Sequence, residues 1–324
     1  MCTAISFNAY NHYFGRNLDL ERRYNESVVI TPRNYILRYK SGNIERRHFA
    51  FIGTATIIDD YPLYYDATNE YGLSIAGLNF VGNAYLEERP LANKTNLAPY
   101  ELIPYVLAKC KNVGECLELL SDVALVDIRF RDDLPNSELH WMICDSNESV
   151  VFECMEDGAK IYRNTIGVLT NNPPYNYHMM SLNNYINISN STPKNNFSGN
   201  VELLEYSRGM GGIGLPGDHS SLSRFIRAAF TKLNSVIPNS ELESVSQMFH
   251  ILCSVEQQEG CVKVGDGFER TQYTSCCNSS EGIYYYRTYN NSQITAVRMR
   301  AENLESETLV FHKMLFEPTV NIYN

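Results

Sequence analysis

Hydrophobic and polar positions alternate at the start of the chain: Thr3–Ala9 and His12–Leu18 read as two short strands around Tyr10-Asn11, a hairpin signal. Further strands are expected at Val28–Ile30, Tyr35–Tyr39, Phe49–Ile57 and Leu73–Leu78, divided by turn signals at Thr31-Pro32, Ser41-Gly42 and Asn69–Gly72. The period then changes. After Asn112, the apolar residues Val113, Cys116, Leu117 and Leu120 recur at the spacing of a helix face, and Glu115 is placed to close a capping box. Pro104 removes a helix N–H and should break or kink its segment, so Pro99–Cys110 is read as two short helices.

Alternation returns at Leu139–Cys144, Val150–Cys154, Lys160–Arg163 and Gly167–Thr170, and Asn171-Asn172-Pro173-Pro174 ends it. Asn183–Asn200, rich in Asn and Ser, reads as an irregular segment, and the glycine-dense Arg208–Asp218 as a loop. Two helices follow. Ser221–Leu233 carries Leu222, Phe225, Ile226, Ala229 and Leu233 on one face, and Ser240-Glu241-Leu242-Glu243 opens a helix bearing Val245, Met248, Phe249 and Leu252. Strands at Gln272–Cys276, Ile283–Tyr289, Ile294–Met299 and Leu309–Phe316 close the chain. Around Asn290–Gln293 the hairpin places Tyr284 and Tyr286 on one face and Tyr285 and Arg287 on the other. Strands, then helices, then strands again make an α+β protein, expected as one domain over residues 1–324 in which helices cover two packed sheets.

Composition narrows the function classes. The 324 residues are 44% hydrophobic and carry a formal net charge of −10, with no Lys/Arg-rich block to neutralise phosphates. This speaks against sequence-independent nucleic-acid binding and against an anionic membrane surface. No run approaches the roughly 18 apolar residues of a membrane span. The first residues lack the basic stretch, apolar stretch and cleavage site of a secretory signal. Nine cysteines, an odd number without C-x-x-C spacing, point to reduced thiols in a cytoplasmic setting and to no metal site. Most read as small buried hydrophobes.

Cys2 is the exception. If Met1 is removed, the chain begins with a thiol and a free α-amine in one residue, a nucleophile that carries its own base. Position alone leaves open that Cys2 is incidental behind a retained Met1. Phe14-Gly15-Arg16-Asn17-Leu18-Asp19 brings a cation and a carboxylate to the neighbouring strand, although alternation sets Arg16 and Asp19 on opposite faces, so both reach Cys2 only if a bulge or turn intervenes. Asn79, Asn171 and Arg224 stand at strand ends or a helix start, where loops often hold sites.

Ordered blocks run along the chain: Met1-Cys2-Thr3, Phe14–Asp19, Asp60-Tyr61-Pro62, Asn69–Leu73, Ala76–Phe80, Leu139-His140-Trp141, Gly167–Pro173, Gly214–Asp218, Ser223-Arg224-Phe225 and Gly282–Tyr286. Together they resemble the choloylglycine hydrolase family and, within it, the bile salt hydrolases of gut bacteria. The resemblance implies an N-terminal-nucleophile (Ntn) hydrolase with a four-layer αββα sandwich of two antiparallel sheets. Cys2 then matches the nucleophile, Asp19 the carboxylate that orients the α-amine, and Arg16 the arginine beside the thiol. Asn79 by its backbone N–H and Asn171 by its side-chain amide match the oxyanion donors, and Arg224 the remaining active-site arginine. The implied substrates are glycine- or taurine-conjugated bile salts, in bile acid and lipid metabolism, with no cofactor and commonly a homotetramer.

Penicillin V acylase and N-acyl-homoserine lactone acylase share the implied mechanism. Asn79 favours bile salts, since penicillin V acylases often carry Tyr at the matching position. Ile57–Tyr65 and Phe80–Tyr85 are the expected steroid walls, with Tyr65 and Phe80 as contacts. Ser207-Arg208-Gly209 resembles a selectivity loop associated with taurine conjugates, which places Arg208 at the substrate's anionic end. A silent binding protein for an amphipathic ligand is the reading from another class; Cys2, Arg16, Asp19 and Asn171 together argue against it, since a binder has no need of that set.

Overall fold

The structure is a computed structural model that describes all 324 residues. Its centre is two antiparallel sheets. The first runs in the order Val168–Leu169, Cys2–Asn8, His12–Leu20, Gly267–Asn278, Ile283–Thr288, Thr295–Arg298, with Val262–Val264 added against Gly267–Asn278. The second runs Gly158–Arg163, Ser149–Met155, Leu139–Cys144, Ser74–Asn79, Tyr61–Asn69, Phe51–Ile58, Ser27–Thr31, Val310–Lys313.

Alternation along the strands sorts side chains into layers. Ala76, Met142 and Val151 turn inward and join a core built with Ala4, Phe14 and the helices α4 (Ser221–Leu233) and α5 (Glu241–Cys253). Their neighbours Ile75, Trp141 and Val150 turn outward and pack with Val106, Leu107, Cys116 and Leu120 of α1 (Leu102–Lys109) and α2 (Val113–Leu120). The order helices, sheet, sheet, helices is the αββα sandwich that the resemblance implies.

Several elements match their sequence signals closely. Ser221–Leu233 is the helix its apolar face describes, and Asn112 Oδ1 caps α2 by accepting from Glu115 N at 2.9 Å. Others differ. Pro104 breaks nothing: it stands third in α1, in the first turn, where helix N–H groups have no intrahelical partner. A 3-10 turn at Pro99–Glu101 precedes it. Tyr35–Tyr39 shrinks to Leu37–Arg38. Tyr61–Asn69, expected as wall and turn, is a nine-residue strand in the second sheet, and Pro62 falls at its start, opposite Ile57. The helix α3 (Tyr175–Leu182) carries little amphipathic signal and was not expected.

All nine cysteines are free, no helix is long and apolar enough to cross a membrane, and no group of His, Cys, Asp and Glu is arranged to hold a metal ion.

Two buried histidines tie stability to pH. His12 lies between Ser6 Oγ and Ser279 Oγ at 2.9 and 2.6 Å, and His178 contacts the Asn171 carbonyl at 2.9 Å. Burial lowers each pKa to about 4, from 6.5. The unfolded chain therefore takes up their protons first, and stability falls as pH drops through 6.5 towards 4. Urea unfolding at pH 7.5 and pH 5 should show a loss on the order of 1–2 kcal/mol per histidine. His12→Asn should flatten that slope by about one histidine's share.

Candidate active site

Cys2 is the first residue of a central strand of the first sheet, paired with Leu18. The two faces of this hairpin carry different chemistry. Arg16 faces the second sheet, where its Nη1 donates to the carbonyls of Tyr65 and Gly77, both at 2.8 Å. Thr3, Asn17 and Asp19 face the helices. Thr3 Oγ1 accepts from Arg224 on α4 at 2.8 Å, Asn17 Nδ2 donates to the Leu252 carbonyl of α5 at 2.9 Å, and Asp19 Oδ1 accepts from Thr271 Oγ1 at 2.6 Å. Arg16 and Asp19 thus keep the opposite faces that alternation assigns them. They flank Cys2 from two sides, because the residue sits at the open end of its strand. The irregularity in register lies on the neighbouring strand instead, between Thr271, opposite Asp19, and Tyr273, opposite Leu18.

Asn171 joins the pieces. Its Oδ1 accepts from the Cys2 backbone N–H and from Arg224 Nη2, both at 2.7 Å, and its Nδ2 donates to the Asn79 carbonyl at 2.8 Å. Ser221 Oγ accepts the Asn171 backbone N–H at 2.7 Å and His178 holds its carbonyl, so the residue is fixed by every polar group it has. Arg224 Nη1 also donates to the Cys2 carbonyl at 2.5 Å, and Arg224 Nε to the His219 carbonyl at 3.1 Å. Asn79 ends the strand Ser74–Asn79 opposite Leu139.

Charge is concentrated here and almost wholly dry. Arg16, Asp19 and Arg224 are each fully buried. Burial raises the Asp19 pKa, opposed by Arg224, the chain's terminal amine and Thr271. Burial lowers the Arg224 pKa, opposed by Asp19 and Cys2. Arg16 loses to burial too, but Cys2, Tyr273, Asp66 and Tyr284 outweigh it, and its pKa is raised. The structure holds Met1, whose ammonium donates to the Asp19 carbonyl at 2.8 Å and pairs with Glu269. Burial depresses this amine below its ordinary value. Hydrolysis of the Met1–Cys2 bond would turn the nitrogen now bonded to Asn171 into a free α-amine.

Beside the thiol opens a cavity of about 520 Å³. Cys2, Arg16, Gly77 and Asn79 form its inner end, and its apolar walls include Leu18, Leu20, Tyr24, Tyr65, Tyr100 and Phe130. The structure therefore brings Cys2, Arg16, Asp19, Asn79, Asn171 and Arg224 together and puts Tyr65 on the wall. It does not bring the other two expected contacts there. Phe80 is fully buried outside the cavity, stacked on His140 at 4.3 Å, and Arg208 lies exposed on the loop before Met210–Gly212. Of the expected walls, Ile57–Tyr65 contributes Ile58 and Leu63–Tyr65 to the cavity lining, and Phe80–Tyr85 contributes nothing. Sequence reasoning missed Leu18 and Leu20, which follow from Arg16 by alternation, and Tyr100 and Phe130, for which no local signal exists.

Comparison with known proteins agrees with this geometry. A family model described as linear amide C–N hydrolases, choloylglycine hydrolase family, matches residues 2–312. A protein named bile salt hydrolase/transferase from Lactiplantibacillus plantarum is 52% identical over 318 residues, 98% of each chain. One of the same name from Clostridium perfringens is 37% identical over 330 residues, 100% of each chain. A crystal structure of the C2A mutant of conjugated bile acid hydrolase from Clostridium perfringens superposes with a TM-score of 0.93 at 35% identity, covering 100% of each chain. Penicillin V acylase from Agrobacterium tumefaciens shares the fold, with a TM-score of 0.77 at 17% identity over 96% of this chain and 91% of that one.

Asn171→Ala should leave Arg224 Nη2 and the Cys2 N–H buried without an acceptor. Urea unfolding should then show a loss of about 2–4 kcal/mol, the cost of two orphaned donors, one of them charged.

Proposed function

Because the chain belongs to the choloylglycine hydrolase family, we propose that it hydrolyses the amide bond of glycine- or taurine-conjugated bile salts, with Cys2 as nucleophile after loss of Met1. The observation that carries this reading is one buried thiol, beside Arg16 and Asn79, in a cavity that joins these polar groups to apolar and aromatic wall residues, with Glu21, Arg22 and Asp133 on its exposed lining. A rigid steroid with a polar amide tail matches that division.

The chemistry follows from the positions of the groups. The Cys2 α-amine takes the thiol proton, Arg16 favours the resulting thiolate by its charge, and Cys2 Sγ attacks the amide carbon. Negative charge moves to the carbonyl oxygen, where the Asn79 backbone N–H and the Asn171 amide are the donors; losing one such donor typically costs about 10²–10³ in rate. The intermediate collapses with cleavage of the C–N bond. The α-ammonium of Cys2, oriented by Asp19 and by Asn171 Oδ1, gives its proton to the departing nitrogen of glycine or taurine. The acyl group stays on sulfur as a thioester. The now neutral α-amine takes a proton from water, whose oxygen attacks the thioester, and the bile acid leaves with restoration of the thiol. Arg224 holds the Cys2 and Asn171 ends of this constellation in register.

We read the whole chain as one domain. The nine free cysteines support a cytoplasmic enzyme. Exposed apolar side chains at Ile186, Phe197, Leu204 and Tyr206 support assembly as a homotetramer, near four times the 37.0 kDa of one chain. Gut-bacterial origin and a role in bile acid and lipid metabolism go with the proposed substrate.

Intact mass should show the chain lighter by one methionine residue, and the purified enzyme should release glycine or taurine from glycocholate and taurocholate. Cys2→Ala should abolish release. Faster turnover of penicillin V than of both bile salts, or full activity with Met1 retained, would sink the reading.

A further inference from the structure

One buried carboxylate near the site has no role in that mechanism. Asp66 is only 2% exposed, yet it stands on the second sheet among residues of the first. Its Oδ1 accepts from Tyr273 Oη and its Oδ2 from Tyr284 Oη, both at 2.6 Å, while Ser275 Oγ lies 3.5 Å from Oδ2. Burial raises the Asp66 pKa, but Arg16 and the hydroxyls of Tyr273, Tyr284 and Ser275 oppose it, and each of these hydroxyls has a proton to donate to a carboxylate. Thr54 Oγ1 meets the Tyr284 hydroxyl at 2.7 Å from the other side.

Backbone geometry explains how an acid arrives there. Between Thr54 and Ala55 the register with Tyr61–Asn69 shifts: Asp66 pairs with Thr54 but Tyr64 with Ala55, which leaves Tyr65 as an extra residue. Tyr65 and Asp66 consequently both serve the space between the sheets, Tyr65 through its carbonyl on Arg16. Gly53 lets the neighbouring strand close on this stretch, since a Cβ there would lie 2.0 Å from the Asp66 carbonyl.

Arg16 is the cation whose charge acts on this acid, without a direct ion pair: Ser275 Oγ, 3.5 Å from Asp66 Oδ2, accepts the Arg16 backbone N–H at 3.3 Å, and Tyr65, next to Asp66 in the chain, holds Arg16 Nη1. Its Nη1 is used by two carbonyls, its Nη2 has no partner, and it too is fully buried. A dry guanidinium without an anion is costly, and the anion it will meet in catalysis, the Cys2 thiolate, is transient. We infer that Asp66 is a positioning residue of this site: the standing counter-charge that keeps Arg16 buried and limits how strongly Arg16 favours the Cys2 thiolate. The inference rests on Cys2 being the nucleophile proposed above. The resting pair is neutral, and ionisation of the thiol adds one negative charge to it.

Such tuning has a chemical use. Too strong a pull from Arg16 would make a thiolate that is abundant but a poorer nucleophile, because nucleophilicity falls with thiol pKa. The groups around Cys2 are Arg16 and Asp19 on its partner strand, Arg224 on α4 and the chain's terminal amine. Around Asp66 are Arg16, Tyr273, Tyr284 and the Cys277 thiol, which burial raises to about 12. Arg16 alone of the cations belongs to both sets.

The test is alkylation of Cys2 by iodoacetamide against pH in the mature enzyme, read on its N-terminal peptide. Asp66→Asn preserves size and an acceptor for one tyrosine. It should move the midpoint to lower pH by about half a unit or more and lower the plateau rate constant roughly twofold. Tyr273→Phe, which keeps the carboxylate and its charge, should leave the midpoint in place. An unchanged or raised midpoint in folded Asp66→Asn overturns the inference, as does a Tyr273→Phe shift as large as that of Asp66→Asn. Glycine release from glycocholate by the unmodified enzyme separates the two readings. Its absence would overturn the substrate while leaving the alkylation result to judge Asp66.

Discussion

The arrangement depends on holding the first two residues of the chain inside the protein. A terminus normally frays, because few contacts oppose its entropy. Here Cys2 is bound on three sides: by the strand His12–Leu20, by Asn171 at its nitrogen and by Arg224 at its carbonyl. Arg224 can do this only because it is itself fixed by the His219 carbonyl, Thr3 and Asn171. Its burial is tolerated because Asp19 lies 4.0 Å away across the same face. Electrostatics and packing are not separable in this region, since each charge is dry and each is held by a neighbour that another charge orients.

The two faces of one hairpin give the site its division of labour. The helix side gathers Asp19, Thr271 and Arg224 around the backbone end of Cys2. The inter-sheet side sets Arg16 and the cavity beside its thiol. A sheet does this at no extra cost in length, because successive residues already point to opposite faces. At the bulge at Tyr65 two consecutive residues serve the same side.

Elements with a strong period were legible in the sequence. Ser221–Leu233 shows its apolar face, and Cys2–Asn8 with His12–Leu20 shows its hairpin. Tyr61–Asn69 was not legible: it opens with Tyr-Pro, buries Asp66, and its bulge disrupts alternation in the middle, so every local signal points away from a strand. Its place is set by its neighbours on both sides. Phe80 illustrates the limit from the other direction. It is next to Asn79 in sequence, but alternation sends it to the opposite side, onto His140. The polar site residues were legible as a set through the ordered blocks that carry the family resemblance; Thr271, Ser221 and His178, which merely hold them, carry no signal beyond being polar.

The pairing of the first strand sets an order of events. Cys2–Asn8 meets His12–Leu20 locally, but Val168–Leu169 closes its other edge, and Asn171, Arg224 and Thr271 all come from the second half of the chain. On a ribosome the beginning of the chain is therefore made long before the residues that will bury it. During that interval the backbone nitrogen of Cys2 stands in water. The topology that buries this nitrogen in the finished fold is thus the same one that leaves it accessible for as long as the chain is unfinished.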